Sequence, residues 1–375
     1  MSAQPLRGVT VVSLEQAAAA PLCTRRLALA GAEVLKIERP EGDFARGYDT
    51  AVYGASSYFV WLNAGKKSVV LDLNDRADRD RLVQLIERAD VLVQNLKPGA
   101  LDKLGVDLDA LHAANAGLIS VSIAGFAPDG PGADRKAYDL LMQAESGLAD
   151  ITGSHHEAGR VGVSIVDAAT GMFAYEAVLE ALLERGVTGE GAAINVALFD
   201  AVAELLTVPY LLERYALAAP ARVGLAHPGI CPYGVFTSSD QQRFVLSIQN
   251  EREWQRLCDT GLQLPQLKQD DRCQDNQTRV DNRGFVDGAV QGVCGVLTYA
   301  EIEARFTAAD LAFAPVNPLS TLKRHRDFHT STVYVEDRRV NLPRVPGLAK
   351  PDGLAVPSLG QHTAEVLARL ATDPE

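Results

Sequence analysis

Short β-branched strands alternate with helical segments through the first half of the chain, and this alternation restricts the fold more than any other feature. Candidate strands lie at residues 8–13, 33–38, 67–73, 90–94 and 117–123. Residues 17–30 and 75–88 separate successive strands and carry apolar side chains at helical spacing. A helix between two strands makes a right-handed crossover, which leaves the strands parallel. The pattern therefore predicts a mainly parallel, doubly wound α/β sheet.

The rest of the chain adds elements of both kinds. Further candidate helices lie at residues 167–185, 199–215 and 363–371, and further strands at 193–198, 233–238 and 243–248. Residues 319–346 are basic and contain proline, without a clear period. A chain of 375 residues has room for two domains. We expect a Rossmann-like large α/β domain over residues 1–215, completed by 320–375, and a smaller α+β domain over 220–315.

Charge and composition exclude several classes of protein. The net charge is −12 and the isoelectric point is near 5.1, which argues against nucleic-acid and anionic-membrane partners. No apolar stretch reaches the roughly 18–20 residues of a membrane span, and the first residues lack a secretory signal, so we expect a cytoplasmic protein. The five cysteines are scattered, which argues against a disulfide framework and against a zinc site. We expect no metal.

Basic residues follow several of the candidate strands. Arg39, Lys97, Lys103 and Lys136 all lie near predicted strand ends. Because ligands of open α/β sheets bind outside the carboxyl ends of the strands, these charges could converge on one polyphosphate; the alternative is four solvated surface charges. The turn after the first strand, residues 15–21, lacks the glycine fingerprint of dinucleotide-binding folds.

Three acidic side chains and one histidine are candidates for chemistry. Asp167 follows an apolar run at a predicted helix start, where a carboxylate is either an N-cap or a nucleophile. Asp139 and Glu145 flank a helical turn and form either an acid–base pair or two exposed helix charges. His227 lies in a glycine- and proline-containing loop near the predicted domain junction, where site residues often lie.

Six stretches, taken together, resemble one family. They are residues 6–13, 31–40, 63–73, 90–99, 137–147 and 163–171. In order and spacing they resemble the class III CoA-transferases, the CaiB/BaiF family, which includes formyl-CoA transferase and the α-methylacyl-CoA racemases. The resemblance runs from the N-terminus to about residue 212 and more loosely beyond. It implies the CoA-transferase family III fold and an interlocked homodimer.

The resemblance also implies roles for individual residues. Asp167 falls where the family keeps its catalytic aspartate. CoA contacts fall on Ala18, Ala19, Arg39, Leu71, Asp72, Leu73, Asn74, Asn95, Leu96, Lys97, Lys103, Lys136, Ala137, Tyr138 and Asp139. In the chemistry so implied, the aspartate attacks a donor thioester and passes through a mixed anhydride and an aspartyl-CoA thioester. CoA and its acyl thioesters are then substrates, with no prosthetic group.

Three further stretches bear on the substrate. Residues 138–147, 226–234 and 249–254 are similar to the branch that handles short dicarboxylates such as succinate, mesaconate, itaconate and citramalate. A second substrate carboxylate would favour a bidentate arginine, for which Arg46 and Arg222 are candidates, with His227 beside them.

Other activities of the same fold remain open. The racemase branch keeps a His-Asp dipeptide where this chain has Tyr138-Asp139, and a phenol with a pKa of about 10 is a poor base at neutral pH. Transfer between molecules is therefore preferred to racemisation. CoA migration within one substrate, and a CoA-binding protein in which Asp167 is only a cap, are the further alternatives.

Overall fold

A computed structural model describes residues 4–216, 222–347 and 353–372. The strands are β1 (Thr10–Leu14), β2 (Glu33–Glu38), β3 (Lys67–Val70), β4 (Val91–Gln94), β5 (Ile119–Ala124), β6 (Ala192–Ala197), β7 (Tyr233–Thr237), β8 (Arg243–Ser247), β9 (Ala312–Pro315), β10 (Thr330–Val335), β11 (Arg338–Pro343) and β12 (Leu354–Val356).

The described residues also contain fifteen helices. They are α1 (Ala19–Leu29), α2 (Ser57–Asn63), α3 (Arg76–Glu87), α4 (Ala100–Lys103), α5 (Leu108–Ala114), α6 (Asp139–Glu145), α7 (Leu148–Ile151), α8 (Ile165–Thr188), α9 (Leu198–Leu205), α10 (Thr207–Ala216), α11 (Glu251–Arg256), α12 (Asn276–Asp281), α13 (Arg283–Cys294), α14 (Tyr299–Ala308) and α15 (Thr363–Thr372). Short 3₁₀ or π turns cover Phe44–Gly47, Leu257–Gly261, Pro265–Gln269, Asp271–Cys273 and Leu319–Arg324.

The chain folds into two compact units. The first contains residues 4–148, 161–208 and 329–372 as far as these are described, and the second contains residues 149–160 and the described part of 209–328. The first unit holds a six-stranded sheet in the order β3-β2-β1-β4-β5-β6. Every neighbouring pair in it is parallel. The predicted doubly wound α/β fold is confirmed.

Helices cover both faces of this sheet. On one face α1 and α8 pack against apolar side chains of β1, β4 and β5. On the other face the core includes side chains of α3, α5 and the C-terminal helix α15. Strands buried on both faces need near-continuous apolar sequence, as β4 shows with Val91, Leu92 and Val93 all inaccessible to solvent.

Local interactions change some of the predicted boundaries. The strand expected at residues 67–73 ends at Val70, because the Asp72 carboxylate accepts the backbone N–H of Asn74 and forms a turn. The single helix expected at 199–215 is divided near Leu206 into α9 and α10. Residues 319–346, which showed no period, contain the β10–β11 hairpin, and β12 joins it in parallel.

The second unit has a core of its own. Its sheet has the antiparallel order β7-β8-β9, and Phe244 and Leu246 of β8 lie fully buried with Trp254 and Phe306. The buried Arg279 guanidinium donates to Glu251 and to two backbone carbonyl oxygens. No helix among the described residues is long and apolar enough to cross a membrane.

Candidate functional site

A cleft of about 360 Å³ opens at the carboxyl ends of β1, β2 and β4 in the first unit. We call it the strand-end cleft; it is lined by Leu14, Glu15, Gln16, Ile37, Glu38, Arg39, Gly42, Asp43, Leu73, Leu96, Ala100, Lys103 and Leu104. It therefore brings together four of the residues predicted to contact CoA: Arg39, Leu73, Leu96 and Lys103. The strand order reverses between β1 and β4, which is the usual ligand position in such sheets.

Other predicted CoA contacts lie beside the cleft. Ala18, two residues after the cleft residue Gln16, is the N-cap residue of α1, and Ala19 begins the helix. The Asn95 side chain bonds both the N–H and the carbonyl oxygen of Gln16, each at 2.9 Å.

The remaining predicted contacts lie elsewhere in the first unit. Leu71 is fully buried in the core, and its N–H donates to the carbonyl oxygen of Glu38. Asp72 and Asn74 form the turn after β3. Lys97 lines a separate pocket at the ends of β4, β5 and β6, and the run of residues 136–139 leads into α6.

Buried charges lie beneath the strand-end cleft, and the sequence analysis missed them. We call Glu15, Lys36, Asp43 and Lys66 the buried ion cluster; each is at most 4% exposed. Lys66 Nζ lies 2.6 Å from Glu15 Oε1, and Lys36 Nζ lies 2.8 Å from Asp43 Oδ2. The available signal was a lone lysine within the otherwise apolar core of β2.

The pKa values of the cluster reflect these pairs. Burial alone would raise the pKa of Glu15, but Lys66 and then Lys36 outweigh it and hold that pKa below its usual range. Burial lowers the pKa of Lys66 to about 8, although Glu15 opposes the change. The Glu15 carboxylate and the Lys66 ammonium are therefore both charged at neutral pH.

Asp167 lies in the first turn of α8, but it is not the N-cap. The helix begins at Ile165, and the N-cap residue is Ser164, whose side chain makes no capping bond. Asp139 of α6 supplies the acceptor instead, because its Oδ1 accepts the N–H of Val166 at 2.7 Å and that of Asp167 at 3.4 Å. The alternative in which Asp167 is a cap is therefore wrong.

Two carboxylates thus lie together at the start of α8. Within the described residues, no ion pair or hydrogen bond reaches the carboxylate of Asp167, which is half-buried. Burial, and then the negative charge of Asp139, raise the pKa of Asp167 to about 7. Of the two alternatives for Asp139 and Glu145, the acid–base pair does not form, since Glu145 instead binds Arg135 through both carboxylate oxygens.

Tyrosines adjoin this carboxylate. Tyr58 Oη lies 2.8 Å from Ser164 Oγ at the start of α8, and Tyr48 packs edge-to-face on Tyr58 with 5.6 Å between ring centroids. Burial raises the pKa of Tyr48 to about 12, and the charges of Asp43 and Asp167 add to the effect. Tyr48 therefore keeps its proton at neutral pH and can donate a hydrogen bond.

Gly171 allows α8 to approach α1 closely. It lies one helical turn after Asp167 and on the same face of α8. A Cβ at this position would stand 2.6 Å from the carbonyl oxygen of Ala19 and 2.7 Å from Cβ of Leu22. The absence of a side chain here therefore brings the Asp167 end of α8 beside the start of α1.

The three candidate substrate residues have other partners. Arg46 donates to both oxygens of Glu38 and to the carbonyl of Pro357, so its guanidinium is committed to the fold. The role of Arg46 in binding a substrate carboxylate stays a prediction. Arg222 and His227 belong to the second unit. Arg222 pairs with Asp150 at 2.6 Å, and His227 stacks on Tyr233.

Comparisons with known proteins identify the family. The family model described as CoA-transferase family III matches residues 6–363. A succinate–glutarate CoA-transferase of Agrobacterium fabrum is 31% identical over 98% of this chain and 96% of its own length. A succinyl-CoA:mesaconate CoA-transferase of Haloarcula hispanica is 33% identical over 74% of this chain and 72% of its own.

A solved structure extends the likeness to the fold. The crystal structure of a CaiB/BaiF family protein from Brucella suis superposes with a TM-score of 0.82 at 30% identity. The alignment covers 99% of this chain and all of the other. The fold is thus shared along the length of the chain.

Proposed function

The chain belongs to CoA-transferase family III, and from that premise we propose that it moves CoA from an acyl-CoA such as succinyl-CoA to a short dicarboxylic acid. The observation that carries the proposal is the carboxylate of Asp167, which is half-buried and unpaired among the described residues, in the same unit as the strand-end cleft. The names of the relatives support the substrate class, since they act on succinate, glutarate and mesaconate.

In the proposed mechanism, the ionised Asp167 attacks the thioester carbonyl of the donor. The C–S bond breaks, which leaves a mixed anhydride on Asp167 and a CoA thiolate. The thiolate then attacks the aspartyl carbonyl, releases the donor as a free carboxylate and forms an aspartyl-CoA thioester. A carboxylate is an ordinary covalent nucleophile in group transfer, and it acts only in its ionised form.

The acceptor acid completes the cycle by the same steps in reverse. Its carboxylate attacks the aspartyl-CoA carbonyl and expels the thiolate, giving a second mixed anhydride. The thiolate attacks the acceptor carbonyl of that anhydride, so that a new acyl-CoA leaves and Asp167 is regenerated. No proton or electron is gained or lost overall.

The strand-end cleft is the proposed site of the CoA nucleotide. Arg39 and Lys103 line it and would bind phosphate oxygens, whereas Leu73 and Leu96 offer apolar surface to the adenine. From there the pantetheine would pass Ala18 and Ala19 toward Asp167. The first unit would thus be the CoA-binding domain.

We further propose that the protein is an interlocked homodimer. Support comes from the family and from exposed apolar side chains on α10, including Val208, Tyr210 and Tyr215, each more than half exposed in the single chain. Light scattering on the purified protein should give twice the 40.2 kDa chain mass, and a monomer mass would refute the proposal.

Mass spectrometry of acyl-CoAs tests the proposed activity. The protein is incubated with succinyl-CoA and, separately, glutarate, mesaconate, itaconate, citramalate, oxalate or acetate. We expect a new acyl-CoA with at least one dicarboxylate. D167N should lower the rate at least about 1,000-fold and leave CoA affinity within about threefold, because only the nucleophile is lost.

E176Q is the matched control. Glu176 is exposed on the same helix, so removing its charge should leave transfer unchanged. Deuterium uptake at the α-carbon of a branched acyl-CoA, without any new thioester, would instead identify a racemase. CoA binding without either reaction would indicate a binding protein, and both results would overturn the proposal.

A further inference from the structure

The turn between β1 and α1 has an unusual backbone conformation. We call residues 15–18 the β1–α1 turn. Ala17 at its centre has φ of 61°, in the left-handed region that side chains with a Cβ rarely adopt. Such a conformation persists only where surrounding contacts fix it.

Side chains from three other segments provide those contacts. Lys36 Nζ donates to the carbonyl oxygen of Glu15 at 3.2 Å, and Asn95 bonds both backbone groups of Gln16. Asp43 Oδ1 accepts the N–H of Ala17 at 3.3 Å. The backbone of three consecutive residues is thus bound by side chains distant in sequence.

Asp43 connects this turn to the buried ion cluster. It is 4% exposed, and besides Ala17 it accepts the N–H of Ala45 at 2.9 Å and the ammonium of Lys36 at 2.8 Å. Both charges of this pair are removed from water, which is costly and seldom repaid in stability. A buried ion pair of this kind is better explained by the conformation that it enforces.

The β1–α1 turn forms part of the strand-end cleft. Glu15, Gln16 and Asp43 all line it, and the next residues, Ala18 and Ala19, are proposed CoA contacts. We infer that Asp43, fixed by Lys36, is a positioning residue for acyl-CoA binding: it holds the β1–α1 turn in the one shape that fits the CoA chain. This inference rests on the proposed function.

D43N tests the inference because asparagine has one acceptor oxygen where aspartate has two. Lys36 attracts that oxygen, which turns the amide N–H₂ group toward the N–H of Ala17 and breaks the bond to the turn. We expect the Kd for CoA and the KM for acyl-CoA to rise together by about tenfold or more, with kcat changed less than about threefold, since loss of uniform binding raises KM alone.

The double variant K36Q/D43N should rescue binding. Glutamine can donate to the Glu15 carbonyl and accept from the new asparagine amide, so that the asparagine oxygen again faces Ala17. We expect its Kd for CoA to return to within about threefold of the wild-type value. K36Q/D43A is equally neutral at these two positions but lacks the acceptor for the N–H of Ala17, so it should bind CoA as weakly as D43N. If D43N does not fold, the comparison of K36Q/D43N with K36Q/D43A tests the inference instead.

S120A is the control for a merely structural effect. Ser120 is buried in β5 and bonds His112, and neither residue lines the strand-end cleft. It should lower the melting temperature and leave the Kd for CoA unchanged. Hydrogen exchange of the amides at residues 15–19 should be faster in D43N than in S120A or K36Q/D43N.

The outcomes separate the inference from the proposed function. If the wild type binds no CoA, both fail. If it binds CoA and D43N binds equally well, or if K36Q/D43N and K36Q/D43A bind alike, the inference alone is overturned. Weakened binding in D43N with recovery in K36Q/D43N supports it.

Discussion

The buried ion cluster and the start of α8 handle buried charge in opposite ways. In the cluster, each carboxylate has a lysine within hydrogen-bonding distance, as in the Glu15–Lys66 and Asp43–Lys36 pairs. At the start of α8, Asp139 and Asp167 lie together, and neither forms an ion pair among the described residues. The pKa of Glu15 is held below its usual range, whereas that of Asp167 is raised to about 7.

The difference separates charges that hold a conformation from a charge that can react. A paired carboxylate has its lone pairs occupied by lysine protons, so it is a poor nucleophile. Asp167 has no such donor, and a carboxylate with a raised pKa is more basic and more nucleophilic when it ionises. Both arrangements lie in one unit, and each can be altered without the other.

The largest expected effect comes from removing one positive charge from the buried ion cluster. K66M leaves the buried Glu15 carboxylate with the more distant Lys36, 3.5 Å away, as its remaining ion-pair partner. We expect the free energy of unfolding to fall by about 3–5 kcal/mol, because one member of a buried pair is left uncompensated. Urea denaturation monitored by circular dichroism measures the change.

The adjacent lysine is the control. Lys67, the first residue of β3, pairs with Glu33 and Glu365 nearer the surface. K67M should cost less than about 1 kcal/mol, since exposed ion pairs add little. Equal losses in the free energy of unfolding for K66M and K67M would show that burial does not determine how much these lysines contribute to stability.

A smaller effect is expected where α8 meets α1. G171A places a methyl group 2.6 Å from the backbone oxygen of Ala19, which cannot move without α1. We expect a loss of about 1–3 kcal/mol from overpacking. Transfer activity should fall as well, because the Asp167 end of α8 is displaced from α1.

Gly186 offers a matched comparison on the same helix. Apart from its chain neighbours and the backbone of its own helix, no atom lies within 4 Å of the Cβ it would acquire. G186A should therefore stabilise the protein by up to about 1 kcal/mol through helix propensity and leave activity unchanged. If G171A and G186A shift the melting temperature in the same direction, close helix packing at Gly171 is not the cause.

The smallest expected effect is a shift in the pH dependence of kcat/KM when the charge of Asp139, beside Asp167, is removed. Since the proposed mechanism uses Asp167 as the anion, kcat/KM should rise with pH through about 7 and level off above it. D139N keeps an acceptor for the N–H of Val166 but removes the like charge. The rise of kcat/KM with pH should occur at lower pH in D139N than in the wild type. It should still occur above the ordinary pKa range of aspartate, because burial is the larger cause of the raised pKa of Asp167.

Stability gives an independent check on that pKa. A folded-state pKa of about 7 lies above the reference value of 3.8, so the folded protein holds this proton more tightly than the unfolded chain does. Asp167 therefore destabilises the fold increasingly as pH rises from about 4 to about 7. D167N should melt at a higher temperature than the wild type at pH 8 and at the same temperature near pH 3; no difference at pH 8 would contradict the raised pKa.

Local sequence patterns were sufficient for most of the first unit. The predicted strand at residues 33–38 has the same bounds as β2, and the predicted helix at 75–88 differs from α3 by one residue at each end. The β10–β11 hairpin was missed because basic residues and Asn341 interrupt the alternation in β11, so that neither helical nor strand period stands out.

The sequence by itself determined the alternation of strands and helices and the excess of acidic residues, and through family resemblance it predicted Asp167 as the nucleophile. Only the tertiary structure decided which charges are paired. Asp139 accepts the N–H of Val166 across 27 residues, and Lys66 reaches Glu15 across 51. The period of an element fixes the face on which a side chain lies, but its partners on that face come from other elements. Their distances are set by helix and strand packing, as at Gly171, and no local pattern records them.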